Sequence, residues 1–315
     1  MVPAQLLQLG SQVMPNADFQ DVDLLLSGAV PERRTEISEL WSRYSVDFRR
    51  APDQAGFRLE NAFGHVIYND RTMLQMYLAS FLAWRALRAY SGVILVLGAA
   101  GRLFDPVEVA RLPNQAPADL AVDNLAIVLQ QLGNAWAVGD VPWPSEIPAP
   151  TLNRHRDVED QAAQDIALLA TAYTLLHEVR HVMLAHDGGS QGGWREEMDC
   201  DAFARDMMLN GISRFARENG VSIEKVWTKR SIGIALANAI LVEITPPALW
   251  RGSSHPPIAD RVRANYSAWP RDPWDAVWMY MACMIIGRLR RDGRKIEAIP
   301  FESARDLCER LTDLI

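Results

Sequence analysis

Apolar side chains fall at helical spacing through residues 166–176, a stretch without glycine or proline, and the period predicts a buried helix running on through His177-Glu178-Val179-Arg180-His181. A second helical stretch covers 194–206, after the break Gly188-Gly189-Ser190-Gln191-Gly192-Gly193, which reads as a flexible connection. Upstream, Ile37, Leu40, Trp41 and Tyr44 form the apolar stripe of a short helix over 35–44, behind the polar lead-in Pro31-Glu32-Arg33-Arg34. Residues 57–60 and 65–68 alternate like a hairpin about Asn61-Ala62-Phe63-Gly64. The apolar run over 73–90 predicts a long helix, 93–97 a buried strand and 118–132 another helix, and 274–287 is a further apolar helix candidate.

These elements predict an α+β, predominantly helical fold. Residues 1–55 read as short helices and loops, and the proline-rich stretch 141–150 as an extended connector. A soft boundary there separates an N-terminal helical or mixed region, 1–150, from a region 151–315.

Composition narrows the class. The chain has 315 residues, 49% hydrophobic and 23% charged, ordinary globular material with ample length for a core. A net charge of -7 with no basic stripe argues against nucleic acid as the main partner. The one basic cluster, Arg288-Leu289-Arg290-Arg291-Asp292-Gly293-Arg294-Lys295, suits either a helix C-terminus or a docking surface for an acidic partner. Three widely spaced cysteines, Cys200, Cys283 and Cys308, form no disulfide framework. The N-terminus lacks the basic region and apolar stretch of a signal peptide. The apolar runs 232–242 and 277–287 hold eleven residues each, short of the about 20 that a span needs. These features predict a cytoplasmic protein without a membrane partner.

The candidate chemistry sits on the central helix. At about 3.6 residues per turn His177 and His181 share a face one turn apart, and neutral imidazoles bind zinc. A hydrolytic site uses three protein ligands and keeps a fourth position open, so a third ligand is required. Glu197 is the expected ligand, with Glu196 and Asp199 as its nearest competitors. Asp201, four residues on, is expected to accept a hydrogen bond from a ligating imidazole and fix its tautomer. Glu178, next to the first histidine, is placed to act as general base. His186 lies off the ligand face, Arg180 points away from it, and His65 and His155 have no partner pattern.

These residues carry a resemblance. His177-Glu178-x-x-His181 followed by Glu197-x-x-x-Asp201 resembles the metal site of gluzincins, zinc peptidases whose third ligand is a glutamate on a later helix. Ser254-His255-Pro256-Pro257-Ile258-Ala259-Asp260-Arg261-Val262 is similar to a segment of HtpX-type and CAAX-prenyl endopeptidases, which implies that His255 lies by the zinc or the developing oxyanion. Those families are anchored in membranes. In length and motif position the chain is more similar to the Lit-type phage-exclusion peptidases.

The resemblance implies a zincin-like core with a small sheet, drawn from residues 57–97, whose edge strand captures substrate backbone, and a helical N-terminal elaboration. It implies a zinc endopeptidase with His177, His181 and Glu197 on Zn2+, and Glu178 and His255 catalytic. A protein or peptide is the expected substrate, a host elongation factor being one candidate, and a protein or peptide activator is a candidate partner. Two other readings remain open: an ImmA/IrrE-like regulator that cuts a repressor, and a metal-bearing binding module without proteolysis. Arg261 is expected to anchor the His-Pro-Pro loop to an acidic partner.

Overall fold

The computed structural model describes residues 17–62, 64–151, 157–190, 192–251 and 255–315. The N-terminal stretch read for a signal peptide, Phe63 of the predicted turn, His155, Gln191 and Ser254 lie outside the described residues. Helices α1 (Ala17–Ala29) and α2 (Arg34–Tyr44) precede a three-stranded sheet, β1 (Asp47–Arg50), β2 (Leu59–Ala62) and β3 (His65–Tyr68). Then come α3 (Asp70–Ala99), α4 (Pro106–Ala110), α5 (Gln115–Asn134), α6 (Val158–His186) and α7 (Gly193–Leu209). The chain continues through α8 (Ile212–Asn219), α9 (Ile223–Ile244), α10 (Ile258–Tyr266), α11 (Ala276–Arg291) and α12 (Ala304–Thr312).

Helices α3, α6 and α11 begin where a short polar side chain satisfies free N–H groups of the first turn. Asn69 accepts from the Thr72 amide at 2.8 Å at the head of α3, Asp157 from Glu159 and Asp160 at the head of α6, and Asp275 from Val277 at the head of α11.

The strand order is β1-β3-β2, with β1 parallel and β2 antiparallel to β3. Ala62 pairs with His65, and Gly64 before it adopts φ +78°, a conformation open to glycine. Phe48, Leu59, Val66 and Tyr68 point into the core, while β2 is left as an edge strand beside α6.

Two expectations change here. The sheet comes from residues 47–68 and not from 57–97, because Val93 to Leu97 is helical and belongs to α3. A short apolar run does not distinguish a buried strand from a helix by its period. Here Leu95 and Val96 are 50% and 68% exposed, so the run is not a core strand. The segment 47–50, read as loop, forms β1; it holds one apolar residue and gains its ladder by pairing with β3.

Helix α3 also departs from the sequence reading of short apolar runs: by length and composition it is the one described helix that could cross a bilayer. It packs against α5, α6 and α11, and the Arg71 guanidinium in its first turn is fully buried. Helix α11 is buried along nearly its whole length, and the three arginines at its end, Arg288, Arg290 and Arg291, are spent internally. Arg288 donates to the Glu243 carbonyl at 2.7 Å, Arg291 to the Glu243 carboxylate at 2.6 Å, and Arg290 to Asp123 and to the Tyr90 hydroxyl. These three arginines tie α11 to α9, α5 and α3, while Arg294 and Lys295 beyond the helix are exposed.

Candidate metal centre

Helices α6 and α7 lie side by side because the chain reverses through Gly188, Gly192 and Gly193, all at positive φ, a conformation that L side chains rarely adopt. The turn does more than connect the two helices. Gly192 N–H and the Ser190 hydroxyl both donate to Glu196 Oε2, at 2.7 and 2.9 Å, and fix that carboxylate at the start of α7.

One turn apart on α6, His177 and His181 bring their Nε2 atoms within 3.3 Å of each other. Their far nitrogens are both taken: Asp201 Oδ1 lies 2.8 Å from His177 Nδ1, and Glu196 Oε1 lies 2.7 Å from His181 Nδ1. A carboxylate accepting at Nδ1 keeps the proton there and leaves the Nε2 lone pair free. The Glu197 carboxylate completes the triangle, Oε2 at 3.5 Å from His177 Nε2 and Oε1 at 3.4 Å from His181 Nε2.

Two imidazoles and a carboxylate facing one another favour a positive charge among them, which protons or a metal ion would supply. The spacing suits a metal ion: ligands held at about 2.0–2.1 Å in a tetrahedron stand about 3.3–3.4 Å apart. The charges point the same way. Burial opposes protonation of His177, but hydrogen bonds to Asp201 and Glu197 together outweigh it and raise its pKa. For His181 burial is likewise outweighed by Glu197 and Glu196, which push it up to about 9. Burial pushes the Glu197 carboxyl up, and the two histidines with Arg261 more than reverse this, holding it far below its ordinary range.

Cys200 competes for the third position. Its thiol is fully buried on α7, and the ligating atoms of His177, His181 and Cys200 all lie within 4.8 Å of one another. Burial and then the surrounding carboxylates push that thiol well above its usual pKa, an opposition that a bound metal would have to overcome. Glu197 is the rival donor, an ionised carboxylate that spans both Nε2 atoms.

Glu178 faces the same cleft, a cavity of about 600 Å³ bounded by β2, α6, α7 and α9. Burial raises its pKa above the ordinary carboxylate value, partly offset by His177, His181 and a hydrogen bond donated by the Asn61 backbone N–H of β2. His255 stands at the rim, 69% exposed, with Nδ1 3.7 Å from Glu197 Oε1. Arg261 does not reach open cleft as a free charge: it grips Asp201 through two hydrogen bonds of 2.7 Å and lies 3.4 Å from Glu197. Asp199 and Arg180 pair with each other at 2.7 Å outside the triangle, and His186 meets Asp187 at the helix end.

Sequence reasoning misses two contributors and gives a third another role. Glu196 was weighed as a metal ligand and instead sits on the Nδ1 of His181. The Asn61 amide is a backbone group and leaves no trace in residue type. Asn238, on α9, lines the cleft; a lone buried amide in an apolar helix was its only signal.

Fold and site together define a mostly helical protein whose central helices bring two histidines and a carboxylate to one cleft. Residues 99–281 match the Peptidase U49 family, and the chain belongs to that family. It is 27% identical over 139 residues to the Cell death peptidase of Escherichia coli (strain K12), an alignment that takes in 44% of this chain and 44% of that protein. The match therefore spans less than half of that relative's length. No solved structure matches the chain. The family match covers α6, α7 and α9, while the whole β-sheet precedes it.

Proposed function

We propose that the protein is a zinc-dependent endopeptidase of gluzincin type, with His177, His181 and Glu197 as the residues that hold the metal. The observation that carries the reading is the triangle of two Nε2 atoms and one carboxylate, each histidine anchored from behind, with Glu178 in the same cleft. When bound, zinc would supply Lewis acidity, acidifying a water and polarising the scissile carbonyl.

The chain's own groups do the rest. Glu178, its carboxylate oriented by the Asn61 amide, takes a proton from water and delivers it to the leaving amide nitrogen. Asp201 and Glu196 hold the two imidazoles in the tautomer that presents Nε2. His255, exposed at the rim, can donate to the oxyanion once substrate orders it. The outer edge of β2, apart from the Asn61 N–H that holds Glu178, offers its backbone to an extended peptide, which would add to the sheet as a further strand. On this reading region 151–315 supplies the reacting groups and region 1–150 the strand that seats substrate.

The relative's name and the likeness to Lit-type peptidases favour a protein of the producing cell as the substrate, cleaved in the cytoplasm when phage infects. The test is to incubate wild type and Glu178→Gln with lysate of the host, with and without chelator, to identify new protein termini by mass spectrometry, and to measure bound metal. A fragment that requires both metal and Glu178 supports the reading. Bound zinc with no such fragment would leave a metal-bearing binding module.

A further inference from the structure

Helices α6 and α9 touch where Gly233 sits on Leu169: a Cβ at position 233 would lie 2.5 Å from the Leu169 Cβ and 3.4 Å from the Ala170 nitrogen. Helices packed at an inclined crossing separate on either side of it. Past the crossing, residues 173–185 of α6 and 237–241 of α9 line the cleft with the two histidines. Before it, residues 158–166 of α6 and 224–232 of α9 diverge around a second cavity of about 560 Å³, closed by α3 and α11.

This second cavity has the volume and the apolar walls of a small-molecule site. Trp84, Leu87, Ala163, Ile166, Ile232 and Ala276 contribute to its lining. Tyr280 also lines it; the residue is 4% exposed and its hydroxyl has no hydrogen-bond partner, an omission that protein interiors rarely leave.

The mouth is charged in a particular way. The chain has 32 basic side chains and all but three are arginine, yet two of those three lysines, Lys225 and Lys229, stand here. Lys229 is committed to Asp165 at 2.6 Å, and Glu224 accepts from the Ser222 hydroxyl at 2.5 Å. Lys225 has no ion pair among the described residues, so its ammonium stands beside an apolar hole with only the Glu224 carboxylate as an acidic sequence neighbour.

We propose that this cavity binds a small amphipathic carboxylate, its apolar body between α3, α6, α9 and α11 and its anionic head on Lys225, with the Tyr280 hydroxyl available to an oxygen of the ligand. The site is separate from the metal triangle, and binding there stands or falls without reference to peptidase activity. Its occupant would touch the same two helices that carry the histidines and the far wall of the cleft.

The experiment is isothermal titration of the purified full-length protein with decanoate and, in parallel, 1-decanol. Expected is saturable binding of decanoate at one site, weaker binding of decanol, loss of both on filling the cavity with Ile232→Trp, and decanoate weakened about three- to fivefold by Lys225→Ala with decanol unchanged. Leu87→Trp fills the cavity from α3, so the result does not hang on one variant's folding, which circular dichroism checks. Absence of saturable decanoate binding, binding that survives both filled variants, or decanol binding as well as decanoate would each overturn the proposal.

Discussion

Arg261 meets Asp201 side-on, Nε to Oδ2 and Nη2 to Oδ1, both at 2.7 Å, and the same carboxylate lies 2.8 Å from His177 Nδ1. A single aspartate thus links the segment that follows the His-Pro-Pro motif to the first histidine of the helix. Burial pushes the Asp201 carboxyl up, but the Arg261 charge and the His177 bond outweigh it and hold it at about 2, so it stays an anion at any working pH. The Tyr173 hydroxyl donates to it as well, at 3.2 Å. An orienting carboxylate with this many donors has little freedom to release the imidazole.

Arg261→Lys keeps the charge and removes the two-point grip, since an ammonium offers no planar fork. Asp201 can then rotate and His177 loses its fixed orientation. Zinc affinity should fall about tenfold, the low end for outer-shell partners. Competition against a chromophoric chelator measures it, and affinity equal to wild type would show that Asp201 is held well enough without Arg261.

Glu197 and Cys200 make opposite predictions as third ligand. Glu197→Gln should leave substoichiometric zinc after dialysis, because a neutral amide is a poor donor beside two imidazoles, while Cys200→Ser should retain about one equivalent. Elemental analysis of both variants decides the matter. Loss of metal in Cys200→Ser with retention in Glu197→Gln would transfer the role to the thiol.

How much of this was legible in the chain depends on the range of the interactions. The four-residue spacings His177 to His181 and Glu197 to Asp201 put those side chains on common helix faces whatever the rest of the fold does, and the structure brings all four together. Adjacent Glu196 and Glu197 point about 100° apart, and which faces the Nε2 atoms depends on how α7 is rotated against α6. That rotation is set by a glycine turn and by core packing, which no local period reports. The strand Asp47–Arg50 exists through its parallel partner β3. Residues 93–97 look like a strand by composition, and nothing local says that α3 carries on to Ala99. The cavity before the α6–α9 crossing is wholly a tertiary fact.

Arg71 and Asp53 supply a pH-dependent contribution far from the metal centre. The guanidinium is fully buried and donates to Asp53 at 2.8 Å and to the carbonyls of Leu132, Ala135 and Trp136. Burial raises the Asp53 pKa, but the Arg71 bond and the Val138 amide more than compensate and hold it below 3.8. A depressed carboxylate pKa stabilises the fold above the unfolded-state value, and the contribution is lost as pH falls through the folded one. Asp53→Asn should cost about 1 kcal/mol at pH 7, a small figure because Asp53 is partly exposed and Arg71 keeps its carbonyls. Urea titrations at pH 7 and pH 3 should show the difference from wild type shrinking at the lower pH. A penalty that does not change would mean that the charge is not what matters.

Gly233 is where α6 and α9 touch, and it separates two effects that usually oppose each other. Alanine is favoured over glycine inside a helix by about 0.8–1 kcal/mol, so an alanine at a glycine with room around it should stabilise. Gly92 of α3 is such a position, exposed and with nothing within 4 Å of an added Cβ. At Gly233 the added Cβ would stand 2.5 Å from the Leu169 Cβ, close to the α6 backbone and not at the end of a flexible side chain, so the helices must move apart. Overpacking of this kind costs about 1–3 kcal/mol. Gly233→Ala should therefore destabilise on balance while Gly92→Ala stabilises, both read from urea midpoints at constant slope. The shift at 233 should also widen the histidine cleft and the second cavity together, since both are bounded by the same two helices. If Gly233→Ala proves as stable as wild type, α6 and α9 can slide at their contact, and the two cavities are less rigidly linked than the packing implies.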